Sequence, residues 1–300
     1  MQAAEQIEKP KRPFIEPGWY RDLSNEEYHG SFGTSSSQLK KLIEQTPAHL
    51  AHSWSQPNET TANMALGTAV HTLVLEPEKF AEEIAVEPTL DRRTKAGKEA
   101  AAEFAARSAG KTIITEEQYE AAQHMAASVR SHSSAGPLLE DIIAESSIYW
   151  WNQPAYPEQS NVSAEMTKVR PDIIGLGHPI VGDLKTTADA SHDAFIRSIH
   201  RYGYHISAGM YLDGINQCRE LLEFTKRFAY KDFVFICVEN KAPWLTAVYH
   251  MSPRYIELGT LIYRECLRRM RAARAAGFPG YPEEIRVIEP PTWASRGYTI

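Results

Sequence analysis

Arg170-Pro171-Asp172-Ile173-Ile174, a short turn, then Ile180-Val181-Gly182-Asp183-Leu184-Lys185 is the stretch that decides how this chain folds. Two apolar runs each deliver a carboxylate, and a lysine follows the second carboxylate at i+2. Side chains alternate along a strand, so Asp183 and Lys185 point one way while Leu184 points into the core. Gly175, Gly177 and Pro179 around His178 supply turn chemistry, and the two runs read as a hairpin. Folding back brings Asp172 close to Asp183. Two converged carboxylates beside an ammonium make a place for a hard divalent cation and a polarised water.

Around that hairpin lies an ordinary globular chain of 300 residues, 43% hydrophobic and 23% charged. The length fits one large domain with an irregular arm, or at most two domains. No apolar run reaches the roughly 18 residues that span a bilayer, so no membrane association is expected. Met1 to Pro17 is polar and lacks a signal-peptide core. Cys218, Cys237 and Cys266 are scattered and odd in number, which gives neither a disulfide framework nor four thiolates for a cluster. The expected compartment is cytoplasmic. A net charge of -6 leaves room for a local basic channel, because distribution matters more than the sum. Two basic clusters stand out. Arg92, Arg93, Lys95 and Lys98 follow a turn-rich stretch; Arg264, Arg268, Arg269, Arg271 and Arg274 follow one another along a late helix.

Ser35 and Gln38 match a capping box, predicting a helix over 36–44 that ends before Pro47. Helices are expected over 64–75, 94–108 and 116–131. From Ser146 the pattern turns to strands, at 147–152, 163–174 and 180–185. Helices over 190–200 and 204–220 come next, then a hairpin of 228–239 and 245–251 with Pro243 in the turn, and a long helix over 253–276. The tail from Gly277 is proline-rich and expected to be irregular, pinned by Trp293 or Tyr298. The order of elements predicts an α/β fold, a central mixed β-sheet flanked by helices.

An Asp-x-Lys triplet alone carries little weight, since Glu239-Asn240-Lys241 has the same form at the end of another strand. Asp183 differs in having Asp172 as a hairpin partner, and Gly182 leaves room for close approach. His71 lies one helical turn from Gly67, on the same face. A lone histidine on an apolar helix is usually a core residue. Here its imidazole completes a metal set with Asp172, Asp183 and the Leu184 carbonyl, and Gly67 would let another backbone or a nucleic-acid strand approach. Tyr204, Ser207 and Tyr211 share a helix face, as packing residues or as hydroxyls aimed at a phosphate or base. Arg197 and Arg201 precede them and could fork onto phosphates.

The ordered set Gly67-Thr68-Ala69-Val70-His71, Arg170-Pro171-Asp172, Gly182-Asp183-Leu184-Lys185-Thr186-Thr187 and Tyr204-His205 through Tyr211 resembles the PD-(D/E)xK nuclease superfamily. Within it the chain looks like the RecE-type exodeoxyribonuclease VIII group of phages and prophages, from about Trp19 to Tyr263. The resemblance implies a restriction-endonuclease-like core over 34–276, between an arm at 1–33 and the tail at 277–300. It implies a magnesium-dependent exonuclease, with manganese as a substitute. Such an enzyme degrades linear double-stranded DNA 5′ to 3′ and leaves 3′ single strands for a strand-annealing recombinase. In such enzymes the residues matching His71, Asp172, Asp183 and Leu184 hold the metal, and the lysine matching Lys185 serves the attacking water. Asp172, Asp183, Lys185 and Tyr211 are the catalytic candidates; Arg92, Arg93, Lys95, Arg197, Arg201, Tyr204 and Ser207 are the DNA-binding ones. A homo-oligomer is implied in the same way. Ser207 departs from the glutamine that relatives commonly carry, and is too short to reach as far. The competing readings are a DNA-binding recombination module with a dead site and an endonuclease sharing the same core.

Overall fold

The structure is a computed structural model and describes residues 12–56, 60–153, 164–218, 229–291 and 294. The first half is mostly helical. Strand β1 (Gly18–Tyr20) leads to α1 (Asn25–Gly30), α2 (Ser36–Glu44), α3 (Pro47–Ser53) and α4 (Ala62–Leu75). Then come α5 (Phe80–Glu83), β2 (Ile84–Glu87), α6 (Lys95–Arg107), β3 (Thr112–Thr115), α7 (Glu116–Ser131) and α8 (Ala135–Leu138). The second half is strand-rich, with β4 (Ile142–Ala144), β5 (Ser147–Asn152), β6 (Glu165–Val169), β7 (Ile173–Gly175) and β8 (Ile180–Thr187). Helices α9 (His192–Tyr202) and α10 (Tyr204–Gln217), strands β9 (Asp232–Glu239) and β10 (Thr246–His250), and α11 (Pro253–Ala275) follow.

The central sheet has the order β10-β9-β8-β7-β4 and is mixed, with β8 parallel to β9 and the other pairs antiparallel. Its two faces bury different clusters. Phe233, Phe235, Val181 and Ile174 pack with α2, α9, α10 and α11, through residues such as Leu39, Phe195, Met210 and Tyr263. Ile173, Leu184, Ile236 and Val238 pack with α4 and α7, through Val70, Val74, Met125 and Val129. Strict alternation in β8 and β9 is what a sheet buried on both faces requires. The helix layers on both sides match the architecture that the element order predicts.

One expected element changes in kind. Residues 163–174 are not one strand. β6 pairs with β5 in a second sheet of order β1-β5-β6, whereas β7 pairs with β4 in the central sheet. Arg170, Pro171 and Asp172 make the crossing. Pro171 has no N–H to give a ladder, so the pairing breaks there. The register nevertheless continues through the break: Ala144 faces Ile173 on one side and Ile148 faces Val169 on the other. The segments 142–152 and 165–175 are thus a single antiparallel ribbon, bent sharply at Glu145 and Arg170.

In the N-terminal arm a short helical piece near Asn25 to Tyr28 is expected and is α1, capped by Ser24 and Glu27, whereas the strand β1, which pairs with β5, is not expected. Trp293 and Tyr298 lie outside the described residues. Tail residues 282–291 are exposed.

Candidate active site

The bend in the ribbon aligns three carboxylates. Ile173 pairs with Gly182 and Ala144 pairs with Ile173. Continuing each ladder by one residue sets Glu145 opposite Asp172 and Asp172 opposite Asp183, one row across three adjacent strands. Two backbone-directed bonds hold the row: Glu145 N–H donates to the Asp172 carbonyl at 3.2 Å, and Leu184 N–H donates to Asp172 Oδ2 at 2.7 Å. A side chain at Gly182 would crowd this spot, because its Cβ would stand 3.1 Å from Ile173 Cβ and 3.4 Å from Val234 Cγ2.

His71 reaches the row from α4, beyond the ends of β4 and β7. Its Nδ1 is 3.5 Å from Glu145 Oε1 and 3.6 Å from Asp172 Oδ2. One ligand atom from each of His71, Glu145 and Asp172 lies within 4.8 Å of the others. A six-coordinate magnesium ion with bonds of about 2.1 Å separates neighbouring ligands by about 3 Å. The two spacings from the imidazole to the carboxylates therefore need to close by only about half an ångström. Two carboxylate oxygens and an imidazole suit magnesium or manganese better than a thiophilic ion. The donor set fits the expected cation.

The grouping shares His71 and Asp172 with the set expected from sequence and brings in Glu145. Asp183 and the Leu184 carbonyl are engaged by Lys185, which forms an ion pair with Asp183 and approaches the Leu184 oxygen at 3.4 Å. Glu145 is the carboxylate that the sequence reading did not include. It was missed because Ile142-Ile143-Ala144 is a short run ahead of the expected start of the strands. The available signal was a third apolar run delivering a carboxylate. Glu145 has a left-handed φ of 46°, which costs a non-glycine residue about 1–3 kcal/mol and gathers at functional sites. Arg170 holds it there: Nε donates to Glu145 Oε2 at 3.0 Å, and the same guanidinium reaches the Leu23 carbonyl and Ser147 Oγ.

Protons are unusually well retained here. Burial, then the neighbouring Asp183 charge, pushes Asp172 up to about 8. Burial alone would lower His71, but Asp172 and Glu145 outweigh it and carry the imidazole up to about 9. Burial would raise Glu145, yet the bond and charge of His71 and the Arg170 guanidinium hold it below the usual carboxylate range. Lys185 keeps its proton firmly: Asp183 and Asp172 outweigh its burial.

The remaining expected residues divide by location. Tyr204 lies under the Lys185 ammonium, 5.3 Å from ring centroid to Nζ. Burial, then Asp183, Tyr28 and Asp172, pushes the Tyr211 phenol well above its usual value, and Tyr211 bonds Ser36. Ser207 Oγ donates to Ser36 Oγ at 3.1 Å and accepts from Lys40 Nζ at 3.2 Å. Arg197 and Arg201 are exposed on α9. Arg92 pairs with Glu87, Arg93 with Asp91 at 3.1 Å and Lys95 with Glu99 at 3.8 Å, all at the surface. Such pairs contribute about 0–1 kcal/mol, so they leave these cations available to a phosphate. Of the α11 arginines, Arg271 and Arg274 are tied into the fold through Asn152 and Glu165, Arg264 reaches Asp213 on α10, and Arg268 and Arg269 make surface pairs with Glu265 on their own helix. Among the described residues no backbone comes close to Gly67; a Cβ there would meet only Thr186 Oγ1, at 3.7 Å.

Residues 35–290 match a PDDEXK-like domain of unknown function, DUF3799. The chain belongs to that family. Its architecture is accordingly a restriction-endonuclease-like core, a mixed sheet with helices on both faces. A structure from Eubacterium rectale, described as a candidate exonuclease, aligns with 93% of this chain and 99% of its own at a TM-score of 0.57 and 12% identity. That likeness supports the fold. The protein SSO0001 aligns with 77% of this chain and 84% of its own at 15% identity, but a TM-score of 0.28 carries no argument. No curated protein matches. Membership of the PD-(D/E)xK superfamily supports a hydrolase acting on nucleic acid, and no helix among the described residues is long and apolar enough to cross a membrane.

Proposed function

We propose that this DUF3799 chain is a divalent-metal-dependent exodeoxyribonuclease of the RecE type. It acts on linear duplex DNA from 5′ ends and leaves 3′ strands for an annealing recombinase. Magnesium is the proposed ion, with manganese able to replace it, and a cytoplasmic homo-oligomer is the proposed working form. The observation that carries the reading is the row of Glu145, Asp172 and Asp183, with His71 at one end and Lys185 at the other.

His71, Glu145 and Asp172 would hold a divalent cation, which would supply positive charge against a phosphate oxygen and activate water for attack. The chain's own groups do the rest. Asp183 fixes the Lys185 ammonium, and that ammonium keeps its proton because two carboxylates face it. Lys185 therefore works as a fixed positive charge where negative charge develops on the phosphate, rather than as a base. Arg170 holds Glu145 in its left-handed backbone, so the liganding oxygens are placed before substrate arrives. Tyr204 and Tyr211 line the same side and, with raised phenols, remain donors throughout the ordinary pH range.

The test is digestion of end-labelled linear duplex and of closed circular duplex, each with magnesium, with manganese and with chelator. The expected result is loss of linear DNA only, from the 5′-labelled strand, and only with metal. Cutting of the circle would replace the exonuclease by an endonuclease. Metal-dependent binding with no cleavage of either substrate would leave a DNA-binding module with a dead site.

A further inference from the structure

Lys168 is buried and Lys40 half-buried; neither makes an ion pair with any described residue, yet they are in opposite states. Lys168 is 2% exposed, and all three of its N–H bonds are used: one by the Tyr28 carbonyl, one by the Ser31 carbonyl at 2.9 Å and one by Ser31 Oγ at 3.1 Å. It is a saturated cation that ties the N-terminal arm to β6. Lys40 donates to a single acceptor, Ser207 Oγ at 3.2 Å. Two of its N–H bonds have no acceptor among the described residues. An ammonium partly withdrawn from water and with donors to spare gains from an anion that completes its shell.

What would complete it is indicated by where it sits. Two small residues clear its path over the start of α10. Gly203, in the left-handed region at φ 62°, lies under the lysine stem, where a Cβ would stand 2.7 Å from Lys40 Cδ. Ser207 is short enough for the ammonium to rest on its hydroxyl. Burial, then the Lys185 charge, pushes Lys40 down to about 8, against the pull of Asp183. Lys40 thus feels the Asp183–Lys185 pair, whereas His71 feels Asp172, Glu145 and Lys185. The hydroxyls of Ser207, Ser36 and Tyr211 are linked in sequence from Lys40 back toward the carboxylates. An ammonium with free donors, backed by serine hydroxyls and set beside a phosphodiester-cleaving site, matches a tetrahedral dianion or monoanion oxygen.

We infer that Lys40, with Ser36 and Ser207, binds a phosphate of the nucleic-acid strand on the α2 and α10 side of the active site. The inference rests on the nuclease reading, and it assigns Lys40 to substrate binding rather than to metal binding. It also gives Ser207 a role: the serine shortens the side chain so that a lysine from α2 takes over the polar contact.

The test uses the full-length protein and a fluorescein-labelled duplex, with chelator present to prevent cleavage and salt varied. Lys40→Met keeps the apolar stem and removes the charge. Its expected effect is about tenfold weaker binding and a salt dependence shallower by about one phosphate contact. Lys40→Arg should restore the slope. Manganese affinity, titrated without DNA, should match wild type in both. Duplexes with and without a 5′-phosphate separate the sources: an equal loss on both marks an internal phosphate, and a loss confined to the phosphorylated end marks a terminal one. Wild-type affinity and slope in folded Lys40→Met, or in Lys40→Gln, would overturn the inference while leaving the nuclease reading intact. Failure of the wild-type protein to bind DNA would sink that reading, and this inference with it.

Discussion

Asp183-Leu184-Lys185 in β8 and Glu239-Asn240-Lys241 at the end of β9 carry the same acidic-x-lysine pattern on neighbouring parallel strands. In the ladder, Asp183 faces Phe235, so Glu239 stands four positions further along, about 13 Å at the strand rise of about 3.3 Å per residue. Asp183 is buried in mid-strand next to the carboxylate-bearing edge of β7. Glu239 ends its strand, its carboxylate accepts from Ala190 N–H at 3.1 Å, and Lys241 is exposed in the turn. Chemistry follows from position in the sheet. One triplet meets two other carboxylates in a row, and the other caps the loop before α9.

Breaking the β8 triplet should have the largest effect. Lys185→Ala or Asp183→Ala removes a charge fixed beside the reacting phosphate, and such contributions are worth about 10²–10³-fold in rate. The expected outcome is cleavage of labelled linear duplex reduced by at least that factor, with far-ultraviolet circular dichroism unchanged. Cleavage within a few-fold of wild type in either variant would mean that the row is structural.

Glu145 extends the comparison to the residue that the β9 triplet lacks altogether. Glu145→Gln keeps the shape and removes the charge, so metal affinity should fall by about 10–100-fold, read by isothermal titration of manganese. Affinity equal to wild type would return the metal to the Asp183 side. The pH dependence has a definite sign. Asp172 holds its proton up to about 8 and His71 up to about 9, and a metal must displace both. Affinity should therefore rise from about pH 6 and level off above about pH 9. A flat profile across that window would contradict the ligand assignment.

Much of this was legible in the sequence, for identifiable reasons. Helices α2 and α7 and strand β5 start and stop at the predicted residues, because caps and alternation are local signals. The hairpin of β7 and β8 followed from glycines and proline around His178. The bend at Pro171 was not read, although its cause is a single residue, because the apolar pattern runs on through it. Glu145 escaped because β4 and its partner β7 are each only three residues long. Lys40 could not be read at all: what distinguishes it from any lysine on an amphipathic helix is the partial burial and the spare donors that only packing reveals.

The smallest effect is expected at the β9 triplet, and it is the one that isolates position from composition. Glu239→Ala deletes an acceptor for one backbone N–H, a loss of about 0.5–1.5 kcal/mol for a hydrogen bond of this kind. Lys241→Ala, at an exposed turn, should stay within about 0.5 kcal/mol of wild type. Neither should change the cleavage rate by more than about twofold, because neither side chain reaches the row of carboxylates. Urea denaturation and the linear-duplex assay, run on both variants beside Lys185→Ala, put the two triplets on one scale. If Lys241→Ala slowed cleavage as severely as Lys185→Ala, the ladder spacing between the triplets would have no functional meaning. A stability loss at Glu239 with full activity is what the two positions in the sheet require.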